Sequence, residues 1–402
     1  MKRRQLCIAA LLAAALTSPA ALAQKKYDPG ASDTEIKIGN TNPYSGPASA
    51  YGNIGKTIAA YFKMVNEGGG VNKRKVTFIS YDDGYSPPKT VEMARKLVEQ
   101  DEVLFLFQTL GTPSNTAIQK YMNMKKVPQL NVATGATKWN DPQNFHWTMG
   151  WQPNYQDEAK AYARHILQTK PNAKIAILYQ NDDYGKDYLK GFEDGLGAKK
   201  GMIVAKASYE VAEPTVDSQI VQLKSSGADV FFNISTPKFA AQAIRAAYDT
   251  GWKPVQYVNN VSASIGSVLT PAGLEKSIGV ITSGYIKDPI DKTWKDDAAI
   301  KTWESFMNKY MPGSNFSDIN HMYGYTVARS LEQVLKQCGD NLTRDNVMKQ
   351  AASMKQFKLD TLLPGITITT SDKDYAPIQA VQLQRFDGKQ YELFGKVISS
   401  EK

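Results

Sequence analysis

Short runs of β-branched and aromatic residues alternate with longer stretches of helical period along most of this chain. EIKIG, KVTFISY, VLFLF, KIAILY, DVFFNI, QYVNN and SIGVITSG read as strands. Between and after them, PKTVEMARKLVEQ, SNTAIQKYMNMKK, DEAKAYARHILQ, GKDYLKGFEDGLG, PKFAAQAIRAAYDTG and GYTVARSLEQVLKQ gather their apolar residues on one helical face. Strand then helix, repeated, predicts an α/β protein whose parallel sheets are covered on both faces. Two local patterns recur. YDDGYSPPKTVEMARKLV from Tyr81 is like QNDDYGKDYLKGFEDGL from Gln180, and LFQTLGTPSNTAIQ from Leu106 is like FFNISTPKFAAQAI from Phe231. The duplication predicts two similar α/β lobes, with the aromatic stretch FHWTMGWQPNY, Phe145 to Tyr155, as the linker.

The amino terminus breaks this pattern. Lys2, Arg3 and Arg4 precede an apolar run from Leu6 to Leu16, then Pro19 and the small-residue site Ala21-Leu22-Ala23. That run is too short for a bilayer, so residues 1–23 read as a cleavable secretory signal peptide and the mature protein is expected in the periplasm. Cys7 heads the apolar run and no small-residue-then-Cys pattern marks the cleavage point, which argues against a lipid anchor. Loss of three basic residues lowers the formal charge from +9 to +6. Lys and Arg are interspersed with Asp and Glu apart from KKYD, NKRK and MNMKK, so the surface reads as solvated and nucleic acid is not an expected partner. Only Cys338 then remains, which excludes an intrachain disulfide. No later window approaches the roughly 18 uninterrupted apolar residues of a membrane span.

In an open parallel sheet, ligands sit at the carboxyl ends of the strands, where helix N-termini offer free N–H groups. Candidate residues are therefore Tyr44 to Tyr51, Leu110 to Ser114, Ala133 to Thr137, Asp182 to Tyr184, Ser235 to Pro237 and Asn259 to Ser262. The turn NTNPYSGPASAYG, Asn40 to Gly52, holds the Gly, Pro, Asn and Ser that any chain reversal needs, but its two tyrosines are not explained by turning alone. Thr112-Pro113 and Thr236-Pro237 read as helix starts, with the Thr hydroxyl capping and Pro in the first turn; the same geometry in two facing lobes would also bring donors together on a cleft. ATGAT adds hydroxyls and a glycine that permits close backbone approach. Asp182-Asp183 reads as a helix cap rather than an acid pair or metal site, and Tyr184 as a cleft wall. His146, His165 and His321 follow no metal or triad spacing, and Gly68 to Gly70 reads as a helix end. No nucleophile elbow, phosphate loop or zinc signature is present, so no catalytic residue, metal or cofactor is assigned.

IKIGNTNPYSGPASAYG, NEGGGVNKRKVTFISYDDGYSPPKTVEMARKLV and AILYQNDDYGKDYLKGFEDGL together resemble the periplasmic binding proteins of branched-chain amino acid type, the receptors of ABC importers. The resemblance spans nearly the whole mature chain. It implies a type I periplasmic binding protein fold, two Rossmann-like lobes joined by three crossovers that close over a small ligand. The lobes would comprise 24–152, 153–283, 284–365 (first lobe again) and 366–402 (crossover and second lobe), as a monomer delivering its solute to permease subunits in the inner membrane. By resemblance, Tyr51 is the first-lobe tyrosine against the ligand, Gly111 and Thr112 hold its carboxylate, Gly135 to Thr137 form a second carboxylate-side segment, and Tyr184 meets the ligand on closure. Ser235 falls where some members carry an aromatic residue, and a disulfide of some members falls on Tyr85 and Leu110.

One departure bears on the ligand. Amino-acid-binding members neutralise the ammonium group with a second-lobe acid, whereas the corresponding strand end here reads YVNNVSAS, with Asn259 and Asn260. A buried ammonium without a countercharge costs several kcal/mol. With Trp147, Trp151, Tyr155, Tyr184 and Tyr285 near the crossovers or cleft, an aromatic or other non-amine carboxylate, or an amide, ranks above a branched-chain amino acid. The expected ligand-binding set is Tyr44, Tyr51, Leu110, Gly111, Thr112, Ala133, Thr134, Gly135, Trp151, Tyr184, Ser235, Asn259 and Asn260. A secreted hydrolase and a sensory receptor lobe are the alternatives of other classes, the first lacking a nucleophile and the second a signalling domain.

Overall fold

The computed structural model describes residues 25–400, and the expected signal peptide with Cys7 lies outside the described residues. In the first half, the strands Lys75–Asp82, Glu35–Asn42, Phe105–Phe107 and Gln129–Leu130 lie side by side in that order, all parallel. Their burial follows composition: Ile36 and Ile38 alternate inward, and Phe105–Phe107 is buried throughout. The chain leaves Glu35–Asn42 for a neighbour on one side and returns to a neighbour on the other. A crevice therefore opens between the carboxyl ends of Glu35–Asn42 and Phe105–Phe107.

The second half repeats the device. Its sheet has seven strands in the order Tyr391–Ser399, Ala380–Phe386, Ile281–Gly284, Val255–Val258, Val230–Ile234, Ile175–Gln180, Ile203–Tyr209. The five from Ile175 to Gly284 are parallel, and the switch falls between Ile175–Gln180 and Val230–Ile234. The expectation of wholly parallel sheets is corrected at the edge, where Ala380–Phe386 runs antiparallel to both of its neighbours. A hairpin makes this edge: Asp387 N–H donates to Gln390 O at 3.0 Å, and Gly388 sits at φ 108°. Two strands joined by so short a turn must run in opposite directions.

The chain crosses between the halves three times. It leaves the first sheet after Gln129–Leu130 and enters the helix Tyr155–Thr169, which packs with Ile175 and Ile177 of the second sheet. It returns after Gly284, since Tyr285 and Ile286 join the first core, and crosses again between Ile378 and Ala380. The helices Gly52–Glu67 and Ile319–Cys338 lie against each other in the first core, which also holds Ile54, Ile58, Phe62, Leu331 and Val334. Gly324 makes that approach possible: a Cβ there would stand 2.8 Å from Ile54 O and 3.0 Å from Thr57 Cβ.

Gly324→Ala is therefore expected to push two backbones apart and to lower stability by about 1–3 kcal/mol. Urea unfolding reads this directly, and an unchanged midpoint would show that the two helices are not this close.

Candidate functional site

The carboxyl ends of the two parallel arrays face one cavity of about 920 Å³, its open mouth included. The first half contributes Tyr51, Tyr85, Leu110, Gly111, Thr112 and Ala133, and the second contributes Tyr184, Thr236 and Asn260. Gln152, Tyr155, Tyr285 and Asp288 follow the crossings, Tyr323 comes from the helix Ile319–Cys338, and Tyr391 from the hairpin. Among the described residues, seven tyrosines line this space, and no Lys, Arg or His does.

The floor is built around Gly111. At φ 97° and ψ 138° it holds a backbone conformation that only glycine takes readily, and a Cβ would meet the Tyr85 ring at 2.5 Å. Tyr85 is itself left-handed at φ 62°, a costly conformation for a bulky residue. Asp83 holds it there, one carboxylate oxygen accepting Tyr85 N–H at 2.9 Å and the other the Thr90 hydroxyl at 2.8 Å. The positions that the family resemblance related to a disulfide, Tyr85 and Leu110, are thus adjoining wall residues. The helix Thr112–Lys125 starts just beyond Gly111, with Pro113 in its first turn.

The threonines do not cap, contrary to the sequence expectation. The Thr112 hydroxyl lies 2.6 Å from that of Thr134, and Thr236 turns its hydroxyl to Gln180 Oε1 at 3.2 Å. Neither helix start has a side-chain cap. Asp182 does cap, accepting Tyr184 N–H at 2.9 Å and Gly185 N–H at 3.3 Å, which aims the Tyr184 ring into the cavity.

Burial lifts the phenols of Tyr51, Tyr85, Tyr184, Tyr285 and Tyr391 well above their ordinary pKa, so all are protonated at neutral pH. Tyr155 stacks on Tyr188 with ring centres 4.3 Å apart, and Tyr184 meets Tyr155 edge-on at 5.5 Å. The Tyr184 and Tyr391 hydroxyls are buried and have no hydrogen-bond partner among the described residues. Behind the wall, Glu158 is 2% exposed and accepts hydrogen bonds from Tyr162 at 2.6 Å, Tyr188 at 2.8 Å and Asn260 N–H at 2.7 Å. Burial raises its pKa despite these donors.

Of the expected residues, Tyr51, Leu110, Gly111, Thr112, Ala133, Tyr184 and Asn260 converge on the cavity. Six do not line it. Tyr44 turns to Ser80, their hydroxyls 2.6 Å apart, and its ring lies against the helix at Gly55. Thr134 lies beneath Thr112, accepting Trp139 Nε1 at 3.2 Å. Gly135 lies under Pro153 and Tyr155, where a Cβ would clash with both. Trp151 is fully buried between Tyr285 and Tyr323 and donates to Ser330 at 3.3 Å. The Ser235 carbonyl accepts from Asn259 Nδ2 at 3.0 Å, so these two tie neighbouring strand ends together. Thr236 lines the cavity in place of Ser235.

Sequence reasoning left out Tyr85, Gln152, Asp288, Tyr323 and Tyr391. The carboxyl-end rule, applied one strand further to Ile281–Gly284, reaches Tyr285 and Asp288 at once. Gln152 and Tyr323 had no local signal; they meet through a hydrogen bond of 3.1 Å between residues 171 positions apart.

The halves also touch directly. Asp318, at the start of the helix Ile319–Cys338, accepts the hydroxyls of Ser264 at 2.9 Å and Ser267 at 3.2 Å, and its other oxygen accepts Asn53 Nδ2 at 2.8 Å. Lys138 Nζ reaches Asp183 at 3.1 Å, and Thr137 N–H donates to Asp187 at 2.8 Å. Among the described residues no His, Cys, Asp or Glu cluster is fit to hold a metal ion, and no helix is long and apolar enough to cross a membrane.

Comparison with known proteins bears on this arrangement. A family model described as periplasmic binding protein matches residues 35–390. The Leu/Ile/Val-binding protein homolog 1 of Brucella abortus (strain 2308) is 24% identical over 359 residues, covering 86% of this chain and 92% of the relative. A branched chain amino acid ABC transporter protein from Thermus thermophilus with bound valine superposes with a TM-score of 0.82 at 16% identity, over 91% of this chain and 97% of that one. A solute-binding protein from R. palustris in complex with benzoate superposes at 0.76 with 18% identity, over 91% and 98%. At such identities these structures speak to the fold alone.

Glu158→Ala strips Tyr188 and Asn260 N–H of their acceptor behind the cavity wall and leaves the Tyr162 hydroxyl the longer contact to Val258 O at 3.3 Å. It is expected to destabilise the protein by about 3 kcal/mol or more, each stranded buried donor costing about 1–3 kcal/mol. Urea unfolding measures this, and a loss below about 1 kcal/mol would show that water replaces the carboxylate.

Proposed function

Because the chain belongs to the periplasmic binding protein family, we propose that it captures a small organic solute between its two α/β halves and presents it to the membrane subunits of an ABC importer outside the cytoplasm. The observation that carries this reading is the single cavity fed by both sheets, walled by tyrosines and floored by Gly111 and the start of the helix Thr112–Lys125. Backbone N–H groups at a helix start favour an anion, which supports a solute carboxylate at Gly111 and Thr112. The rings of Tyr51, Tyr85, Tyr155 and Tyr184 offer flat apolar faces to the body of the solute. An aromatic carboxylate fits this division of labour, and the phenols of Tyr184 and Tyr391 are free to bond its polar substituents. The site proposed is one of binding, its role being enclosure and release.

A branched-chain amino acid is the second reading, favoured by the Leu/Ile/Val-binding relatives. Thermal-shift measurements on the mature protein separate the two, because a ligand that binds the native state raises the melting temperature with concentration. Benzoate, phenylacetate and 4-hydroxybenzoate are expected to stabilise it more than leucine, isoleucine or valine, and the reverse order would favour the second reading. Tyr51→Ala should weaken the stabilising ligand by at least about tenfold, or roughly 1.4 kcal/mol, while leaving the fold intact. Unchanged calorimetric affinity would remove Tyr51 from the site.

A further inference from the structure

Among the described residues, Asp288 is the one acidic side chain lining the cavity, and nothing basic lines it. It lies four residues beyond the strand Ile281–Gly284, and one carboxylate oxygen accepts Ile290 N–H at 3.1 Å. It is partly exposed and lines the cavity. Lys287, the adjacent cation, is committed elsewhere, its Nζ 2.6 Å from Asp297 and 5.0 Å from the centre of the Trp294 ring. The titratable groups that interact with Asp288 are Asp291 on its own segment and Tyr391 on the hairpin, while Tyr285 at the crossing and Tyr323 on the helix Ile319–Cys338 line the same cavity. None is a cation. Gln384, from the strand Ala380–Phe386, completes this end of the cavity. The Tyr391 hydroxyl, on a residue 2% exposed, has no partner among the described residues.

A solute carboxylate enclosed with an ionised Asp288 would put two like charges into one dehydrated space with no countercharge. Protonation removes the conflict and turns Asp288 into a donor for a solute oxygen. We propose that Asp288 is the charge gate of this cavity: a carboxylate solute is enclosed only when Asp288 carries a proton, so capture takes up one proton from the solvent. The proton comes from bulk buffer, and no bond of the solute is made or broken. Burial, with the repulsion of Asp291, already pushes Asp288 up to about 7, so the proton is readily supplied near neutrality. The inference rests on the carboxylate reading of the site. It adds a selection rule: a solute with a protonated amine would favour the ionised form and drive a proton out.

Calorimetry in buffers of different ionisation enthalpy counts the proton. The probe is whichever of benzoate, phenylacetate and 4-hydroxybenzoate stabilises the protein most. At about pH 8, uptake near one proton per solute is expected, with affinity falling about tenfold per pH unit above 7. Asp288→Asn should abolish both effects and bind the probe about tenfold more tightly than the unaltered protein at about pH 8. No proton uptake, or release of a proton, overturns the proposal. A measurement without solute stands beside it. A raised folded-state pKa gives stability that is present below the unfolded value of about 4 and lost as pH rises through about 7. The melting temperature of Asp288→Asn should therefore exceed that of the unaltered protein by a margin that widens from about pH 4 to about pH 8. A constant margin overturns the proposal whatever binds. A widening margin with no carboxylate bound would instead sink the carboxylate reading and leave the titration of Asp288 standing.

Discussion

Polar atoms buried in the wall between the two halves must be satisfied by the wall, by ordered water or by a guest. Most of this cavity's wall satisfies itself. Thr112 bonds Thr134, Tyr323 bonds Gln152, and Thr236 bonds Gln180. The Tyr184 and Tyr391 hydroxyls are left over, on side chains held in the cavity by an aspartate cap and by a hairpin. Such leftovers are costly in a packed core, and a cavity that takes in a polar solute gives them partners.

Sheet topology decides which residues share that space. Each half reverses its strand order once, and each reversal opens at the carboxyl ends of the strands. Tyr51 and Gly111 follow the two strands that flank the first reversal, while Tyr184 and Thr236 follow those that flank the second. The strain at Tyr85 is then intelligible. A left-handed tyrosine, fixed by Asp83, covers a glycine whose missing side chain makes room for it. Asp318 spans the division by accepting two serine hydroxyls from one half while capping a helix of the other.

Charge is distributed as sharply as shape. The surface carries interspersed ion pairs, which in water contribute little each. Among the described residues the cavity is lined by no cation, and its electropositive element is a helix start. Glu158 sits behind the wall, saturated by three donors, and Asp288 sits in it with one. Two carboxyls of like chemistry are thereby divided between a structural role and one open to a solute.

The alternation of strand and helix, the duplicated patterns and the carboxyl-end rule brought Tyr51, Gly111, Thr112, Tyr184 and Asn260 to the cavity from sequence alone, because each is fixed by an element that begins or ends within a few residues of it. The antiparallel edge hairpin was not among the strands read from the sequence, and its Asp387-Gly388 turn came to notice only with the structure. Local pattern did not reveal where a side chain turns once two elements meet. Tyr44 and Tyr51 stand on the same turn, yet one faces Ser80 and the other the cavity. Trp151 looked like a cleft aromatic and is a buried strut. Gln152, Tyr323, Asp288 and Tyr391 come from widely separated parts of the chain, and only the three crossings bring them together. Sequence thus set the elements and their ends through local propensity and period, while long-range packing decided which polar atoms were left facing an enclosed space.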